Sequence, residues 1–291
     1  MIKVIASDMD GTLLGDNHEI APQTIEAIHR AQDAGIRFII ATGRNYHTAM
    51  QIMEETDIVC DYVLSSGAEV RDAQHRIVSC LKLDMDLCEE IYEILKTYDI
   101  SMIFCTRDCD YQIGTAEEIR KNSVLYFQLF FLDMKPEEIM KTGLYKRMEA
   151  STKIVPDFQA LRNENVPVYK IFLYAKDEET IASIEKKLGN NPLIAVASSW
   201  VNNLEITDVR AQKGPVLKEY IESLGYMMDE VMVLGDSMND YSMLSMDFGA
   251  TVAMENSVPE IKETVKYITK SNDNLGVAFA IDELLKTRKY K

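Results

Sequence analysis

Two carboxylates, Asp8 and Asp10, follow a short apolar, β-branched run over residues 2–7, and Gly11-Thr12 come straight after them. Carboxylates this close can hold separate tasks only if the backbone turns sharply, and Gly11 permits such a turn. One can then attack as a nucleophile while the other moves a proton to or from the reacting oxygens. A second polar group, Thr42-Gly43-Arg44, closes the apolar run over residues 36–41. A third, Gly235-Asp236-Ser237-Met238-Asn239-Asp240, closes the run over residues 231–234. Lys213-Gly214-Pro215 stands where a helical pattern begins, and helix starts favour anions.

The first three motifs lie at the carboxyl ends of expected strands. Ligands of open α/β sheets bind there, so all three would face one crevice. The residue types then suggest a division of labour. Asp8 is the candidate nucleophile. Asp10 is the candidate general acid, protonating the leaving oxygen and later taking a proton from water. Asp236 would join Asp8 and the Asp10 main-chain carbonyl around Mg²⁺, a hard ion that accepts a few carboxylates and keeps waters. Met9, Thr42, the Gly43 amide, Lys213 and Asn239 are the candidates for holding phosphoryl oxygens. Asp240 would orient Lys213 or a metal-bound water, and Arg44 would meet either substrate or a neighbouring carboxylate. Several parts are needed together, because phosphate-monoester hydrolysis can require acceleration of up to about 10²¹-fold. General acid–base catalysis supplies roughly 10²–10⁴, and one electrostatic donor about 10²–10³.

Other polar groups have plainer readings. Asp84-Met85-Asp86 also follows a strand-like run, but an amphipathic pattern (Leu87, Ile91, Ile94, Leu95) comes next, so a helix N-cap is expected there. Asp16-Asn17-His18-Glu19 holds fragments of two-metal phosphoesterase motifs. Those sites need further ligand histidines, and only the scattered His29, His47 and His75 remain. The run from Gly15 to Glu19 is more simply the loop leaving the first strand. Cys105 and Cys109, two of five cysteines, have no second pair or histidine to complete a zinc site, and reduced thiols are expected.

The elements that must position these groups can be read from apolar spacing. Strands are expected over residues 2–7, 36–41, 58–64, 231–234 and 250–253. Helices are expected over 22–34, where Pro22 suits the first turn and Gly35 the end, over 45–55, over a stretch ending at Gly225, and around 261–265. This is a doubly wound α/β pattern with a mainly parallel, Rossmann-like core sheet. Between the halves the spacing changes. Strand-like runs at 101–105, 169–175, 193–197 and 203–207 interleave with charged helices such as 177–188, which implies an inserted α+β domain. The expected division is 1–83 with 209–291 as the core and 84–208 as the insertion. The apolar run Val124–Leu132, broken by Gln128, is too short to span a bilayer and is expected to be core or lining between domains.

Asp and Glu outnumber Lys and Arg by 47 to 31, a net charge of -16. Such a surface repels polyphosphate, so nucleic acid is not expected as a partner, whereas a small phosphorylated metabolite near a bound cation is compatible with it. Neither a signal peptide nor a membrane span is expected, and a cytoplasmic monomer or weak homo-oligomer follows.

Together, Asp8-Met9-Asp10-Gly11-Thr12, Thr42-Gly43-Arg44, Lys213-Gly214 and Gly235–Asp240 resemble the four motifs of haloacid-dehalogenase-like hydrolases. A given Asp-x-Asp-Gly-Thr arises by chance on the order of 10⁻⁵ per position. Their order and wide spacing resemble the Cof-type branch, whose large α+β cap lies between the second and third motifs. Ala253-Met254-Glu255-Asn256-Ser257-Val258 and Ser271-Asn272-Asp273-Asn274-Leu275-Gly276 are also similar to that branch. The resemblance spans essentially the whole chain. It implies Mg²⁺-dependent hydrolysis of sugar phosphates and similar small phosphoesters through a phospho-aspartate, with specificity set by the cap. A phosphomutase, a phosphotransferase or a non-catalytic phosphate binder would use the same scaffold. Ser66, Glu255 and Ala211-Gln212 depart from the branch's frequent residues without touching the catalytic set.

Overall fold

The computed structural model describes residues 1–130 and 134–287, and the final two residues of the run Val124–Leu132 lie outside them. The chain divides into two compact units, residues 1–81 with 209–291, and residues 82–208.

In chain order, the first segment carries β1 (Val4–Ser7), α1 (Pro22–Asp33), β2 (Arg37–Ala41), α2 (Tyr46–Met53), β3 (Asp61–Leu64), β4 (Glu69–Arg71) and β5 (Ile77–Cys80). The local reasons are ordinary ones. Pro22 occupies the first turn of α1, and the Asn45 side chain caps α2 by accepting from the Thr48 N–H at 2.9 Å.

The second unit holds α3 (Met85–Leu95), β6 (Ile100–Thr106), β7 (Asp110–Ile113), α4 (Ala116–Phe130), α5 (Pro136–Ile139), α6 (Gly143–Ser151), β8 (Thr152–Val155), α7 (Phe158–Asn163), β9 (Val168–Ala175), α8 (Glu178–Leu188), β10 (Ile194–Ala197) and β11 (Asn203–Asp208). Its strands form one sheet in the order β10-β11-β9-β6-β7-β8, antiparallel except for the β7–β8 pair. Phe104, Ile171, Leu173, Leu204 and Ile206 pack against helix residues such as Ile91 and Ile184 on one face. Asp84 caps α3, accepting from Asp86 and Leu87 N–H groups, so the second Asp-x-Asp pair is structural.

The last segment supplies α9 (Lys213–Ser223), β12 (Val231–Gly235), α10 (Tyr241–Leu244), β13 (Ala250–Ala253), α11 (Pro259–Thr264), β14 (Tyr267–Ile268) and α12 (Gly276–Thr287). It completes an eight-stranded sheet, β14-β13-β12-β1-β2-β3-β4-β5. The pairs from β14 through β3 are parallel, and β4 and β5 add an antiparallel edge. Ile5, Phe38, Ile40 and Leu234 pack into the core on one face, and Val4, Ile39, Val231 and Val233 on the other. Burial on both faces is why these strands read as unbroken apolar runs. The strand order reverses at β1, which pairs with β2 on one side and β12 on the other. In open α/β sheets such a reversal is where ligands bind, beyond the carboxyl ends here of β1, β2 and β12. No helix among the described residues is long and apolar enough to cross a membrane.

Candidate active site

Register brings the motifs together. Ser7 pairs with Leu234 and Ile40, so Asp8, Gly235 and Ala41 leave adjacent strands at one level. The Asp8 N–H donates to the Leu234 carbonyl at 3.0 Å, which extends the pairing one step into the motif. The chain then turns through Gly11 at φ +76. A Cβ at this glycine would stand 2.6 Å from Oδ2 of Asp236, so a side chain here would both strain the backbone and displace that carboxylate. Thr12 donates from Oγ1 to Oδ1 of Asp236 at 2.8 Å, and Ser237 donates from Oγ to its Oδ2 at 2.6 Å.

Lys213, the first residue of α9, is 1% exposed and lies between two carboxylates. Its Nζ donates to Oδ1 of Asp8 at 2.6 Å and to Oδ1 of Asp240 at 2.7 Å. Oδ2 of Asp240 accepts from the backbone N–H groups of Asp236 and Ser237. Asp240 therefore orients Lys213 and pins the turn beneath Asp236. Gly67, at φ +105, lets the Gln212 main chain approach within 2.8 Å of where its Cβ would be, which seats the residue before Lys213.

Asp8, Asp236 and Asp240 each place an oxygen within 4.8 Å of the others. Three buried carboxylates thus face one buried ammonium. Burial and then the Asp240 charge push the Asp8 carboxyl well above its ordinary range. The same causes move Asp236 to about 6. Burial would lower Lys213, but the charges of Asp240 and Asp8 outweigh it and hold the ammonium protonated. An excess of hard oxygen donors over cations fits a small divalent ion. Asp8 and Asp236 are the ligands this geometry leaves best placed. Oδ2 of Asp8 accepts no hydrogen bond among the described residues, and Asp236 is held only by two hydroxyls that can rotate away, whereas Asp240 is fixed by Lys213 and two backbone N–H groups.

Asp10 points elsewhere. Arg44 grips it in a fork, Nε to Oδ2 at 2.7 Å and Nη2 to Oδ1 at 2.6 Å. Partial desolvation would raise the Asp10 carboxyl, which keeps about half of its side-chain surface exposed, but the Arg44 hydrogen bonds and charge outweigh that and leave it below its ordinary value. Arg44 therefore meets a neighbouring carboxylate, one of the two partners its position allowed. Thr42 is fully buried, and its Oγ1 accepts from the Arg44 N–H at 3.1 Å. Gly43 is half-buried beside it. Asn239 is half-buried in the turn after β12 and makes no side-chain hydrogen bond among the described residues. The Met9 side chain is in the core, so only its main chain is available to a ligand. Asp16 lies in a loop hydrogen-bonded to Asn272 and Asp273, away from any histidine cluster among the described residues. Thr12 and Ser237, which hold Asp236, were not singled out by sequence. Both lie inside the motifs written out above, which gave them no separate role.

The chain belongs to the haloacid dehalogenase-like hydrolases, whose family pattern matches residues 5–281, and it is a phosphatase. It is 28% identical to the 5-amino-6-(5-phospho-D-ribitylamino)uracil phosphatase YwtE of Bacillus subtilis, over 98% of each chain. It is 26% identical to phosphatase YwpJ of the same organism, over 98% of this chain and 100% of that one. A solved haloacid dehalogenase-like hydrolase from B. subtilis superposes with a TM-score of 0.84 at 26% identity, covering 97% of this chain and 100% of the other.

Proposed function

We propose that this phosphatase hydrolyses small phosphorylated metabolites, sugar and polyol phosphates among them, through a phosphoryl group carried on Asp8. One observation supports this above others: Lys213 holds Oδ1 of Asp8, while Oδ2 takes no hydrogen bond among the described residues. A carboxylate fixed through one oxygen and open at the other suits a nucleophile.

Mg²⁺, held by Asp8, Asp236 and the Asp10 main-chain carbonyl, would supply positive charge against the phosphoryl oxygens. The chain's own groups do the rest. Oδ2 of Asp8 attacks phosphorus, and the ester oxygen departs with a proton from Asp10. Water then attacks the aspartyl phosphate, returning its proton to Asp10 and releasing inorganic phosphate. In the structure Asp10 is held ionised, so proton donation requires it to part from Arg44. The freed guanidinium then suits the substrate's charge. Lys213 has one N–H left for a phosphoryl oxygen. The Thr42 hydroxyl, the Gly43 and Met9 amides and the Asn239 side chain complete the clamp.

YwtE is named for a substrate with a phosphate on a ribityl chain, and that supports the polyol class here. We assign choice among substrates to residues 82–208, which carry none of the four motifs, and place the enzyme in the cytoplasm, where its five free cysteines stay reduced.

Acid-quenching during turnover of ribitol 5-phosphate with Mg²⁺ tests the chemistry. A phosphate adduct is expected on the peptide containing Asp8, with inorganic phosphate released and turnover lost in excess chelator. An adduct elsewhere, or full activity in chelator, would sink this reading. Phosphate moved within the substrate instead of released would identify a mutase.

A further inference from the structure

The motifs over residues 253–258 and 271–276 hold no reacting group, yet they converge on the turn that does. Asn256 donates from Nδ2 to the Gly11 main-chain oxygen at 2.8 Å, and its Oδ1 accepts from the Asn272 N–H at 3.0 Å. Asn272 donates from Nδ2 to the Leu14 carbonyl and to Oδ1 of Asp16, both at 3.1 Å. On its other side the same segment is tied to the Asp236 motif. The Met254 N–H donates to the Gly235 carbonyl at 3.2 Å, and the Val258 N–H to the Asp236 carbonyl at 3.1 Å. One short strap therefore bonds both to the turn bearing Asp10 and to the turn bearing Asp236.

We propose that Asn256 and Asn272 are positioning residues for phosphoryl transfer, indexing the Asp10 turn against Asp236. The inference rests on the chemistry assigned above to those aspartates. Asn256 is exposed, so each of its bonds competes with water and adds little to stability. Its contribution is geometric: a misplacement of about 1 Å at reacting groups can cost about 10²-fold in rate. Gly11 depends on such a tether, because a residue without a side chain has no packing of its own to fix it.

Asn256→Asp keeps the size and the acceptor for the Asn272 N–H but sets an oxygen against the Gly11 carbonyl. Asn272→Asp does the same toward Leu14 and Asp16. With p-nitrophenyl phosphate and saturating Mg²⁺, each is expected to lower kcat by roughly 10–100-fold. KM should move less than about threefold, with melting little changed, a split that mere destabilisation does not give. Because the two act in series, the double variant should lose no more than the worse single. Unchanged kcat in Asn256→Asp, multiplicative losses in the double, or losses that only follow the folded fraction would overturn the proposal. Asn256→Ala, which removes no buried group, carries the same expectation if Asn256→Asp fails to fold. The readout is phosphatase turnover, so an adduct found away from Asp8 would defeat the proposed nucleophile while this test still stood.

Discussion

Each unit buries a lysine among carboxylates, and the two clusters sit in different places on their sheets. In the catalytic unit Lys213 bridges Asp8 and Asp240 at the mouth of the sheet, where strands stop and turns begin. In the other, Lys170 of β9 donates to Glu205 of β11 at 3.1 Å in mid-strand, both about 5% exposed, on the face opposite the apolar core. Burial would lower Lys170, but the Glu205 charge outweighs it and keeps the ammonium protonated. Asp110 of β7 lies nearby, its Oδ1 buried with no hydrogen-bond partner among the described residues, and burial lifts it to about 6 against the pull of the Lys170 charge. Buried charge alone therefore does not mark a reaction centre. Under the proposed function, what distinguishes the Lys213 cluster is its position at strand ends, with main-chain N–H groups and a free carboxylate oxygen.

Lys213→Met should have the largest effect. It strips the charge facing the nucleophile, so kcat on an aryl phosphate should fall about 10²–10³-fold. It also leaves two buried carboxylates unpaired, a stability loss of roughly 3–5 kcal/mol. Steady-state kinetics and urea unfolding report both, and a kcat within tenfold of wild type would erase the contrast. Lys170→Met should match only the second loss, while aryl phosphate turnover per folded molecule stays within about threefold. Replacing Glu205 by Leu as well should recover much of the stability, because it removes the carboxylate bonded to Lys170 and leaves only the neighbouring Asp110 without that cation.

The smallest effect should come from Asp110. A carboxyl at about 6 when folded and about 3.9 when unfolded is destabilising once ionised. Wild-type stability should therefore be highest below about pH 4 with respect to this group and decline through about pH 6. Asp110→Asn should remove that decline and raise stability at neutral pH by ~1–3 kcal/mol. Parallel urea titrations of the two proteins across this range would contradict the assignment.

Sequence carried the strands well where burial on both faces made apolar runs, and the run over residues 250–253 coincides with β13. The third strand begins at Asp61, not Ile58, because Ile58 and Cys60 are buried without sheet pairing, and apolarity alone cannot separate these cases. The strand-like run before Asp84 contains β5, whereas β7 and β8 give no unbroken apolar run because each is only four residues long and mixes polar with apolar side chains. The Arg44–Asp10 fork spans 34 residues and the Asn256–Gly11 bond spans 245. Neither partner could be chosen from spacing, since arginine and asparagine suit many surroundings.

The catalytic unit is assembled from both flanks of a contiguous 82–208 segment, and this has a consequence for synthesis. β1 is central in the finished sheet, yet its partner β12 ends at Gly235, more than two hundred residues later. At about 5–20 residues per second, one edge of this fully buried strand waits roughly ten to forty-five seconds for its neighbour on the ribosome. Slow translation or early release would expose an unpaired β edge, and misassembly would begin there.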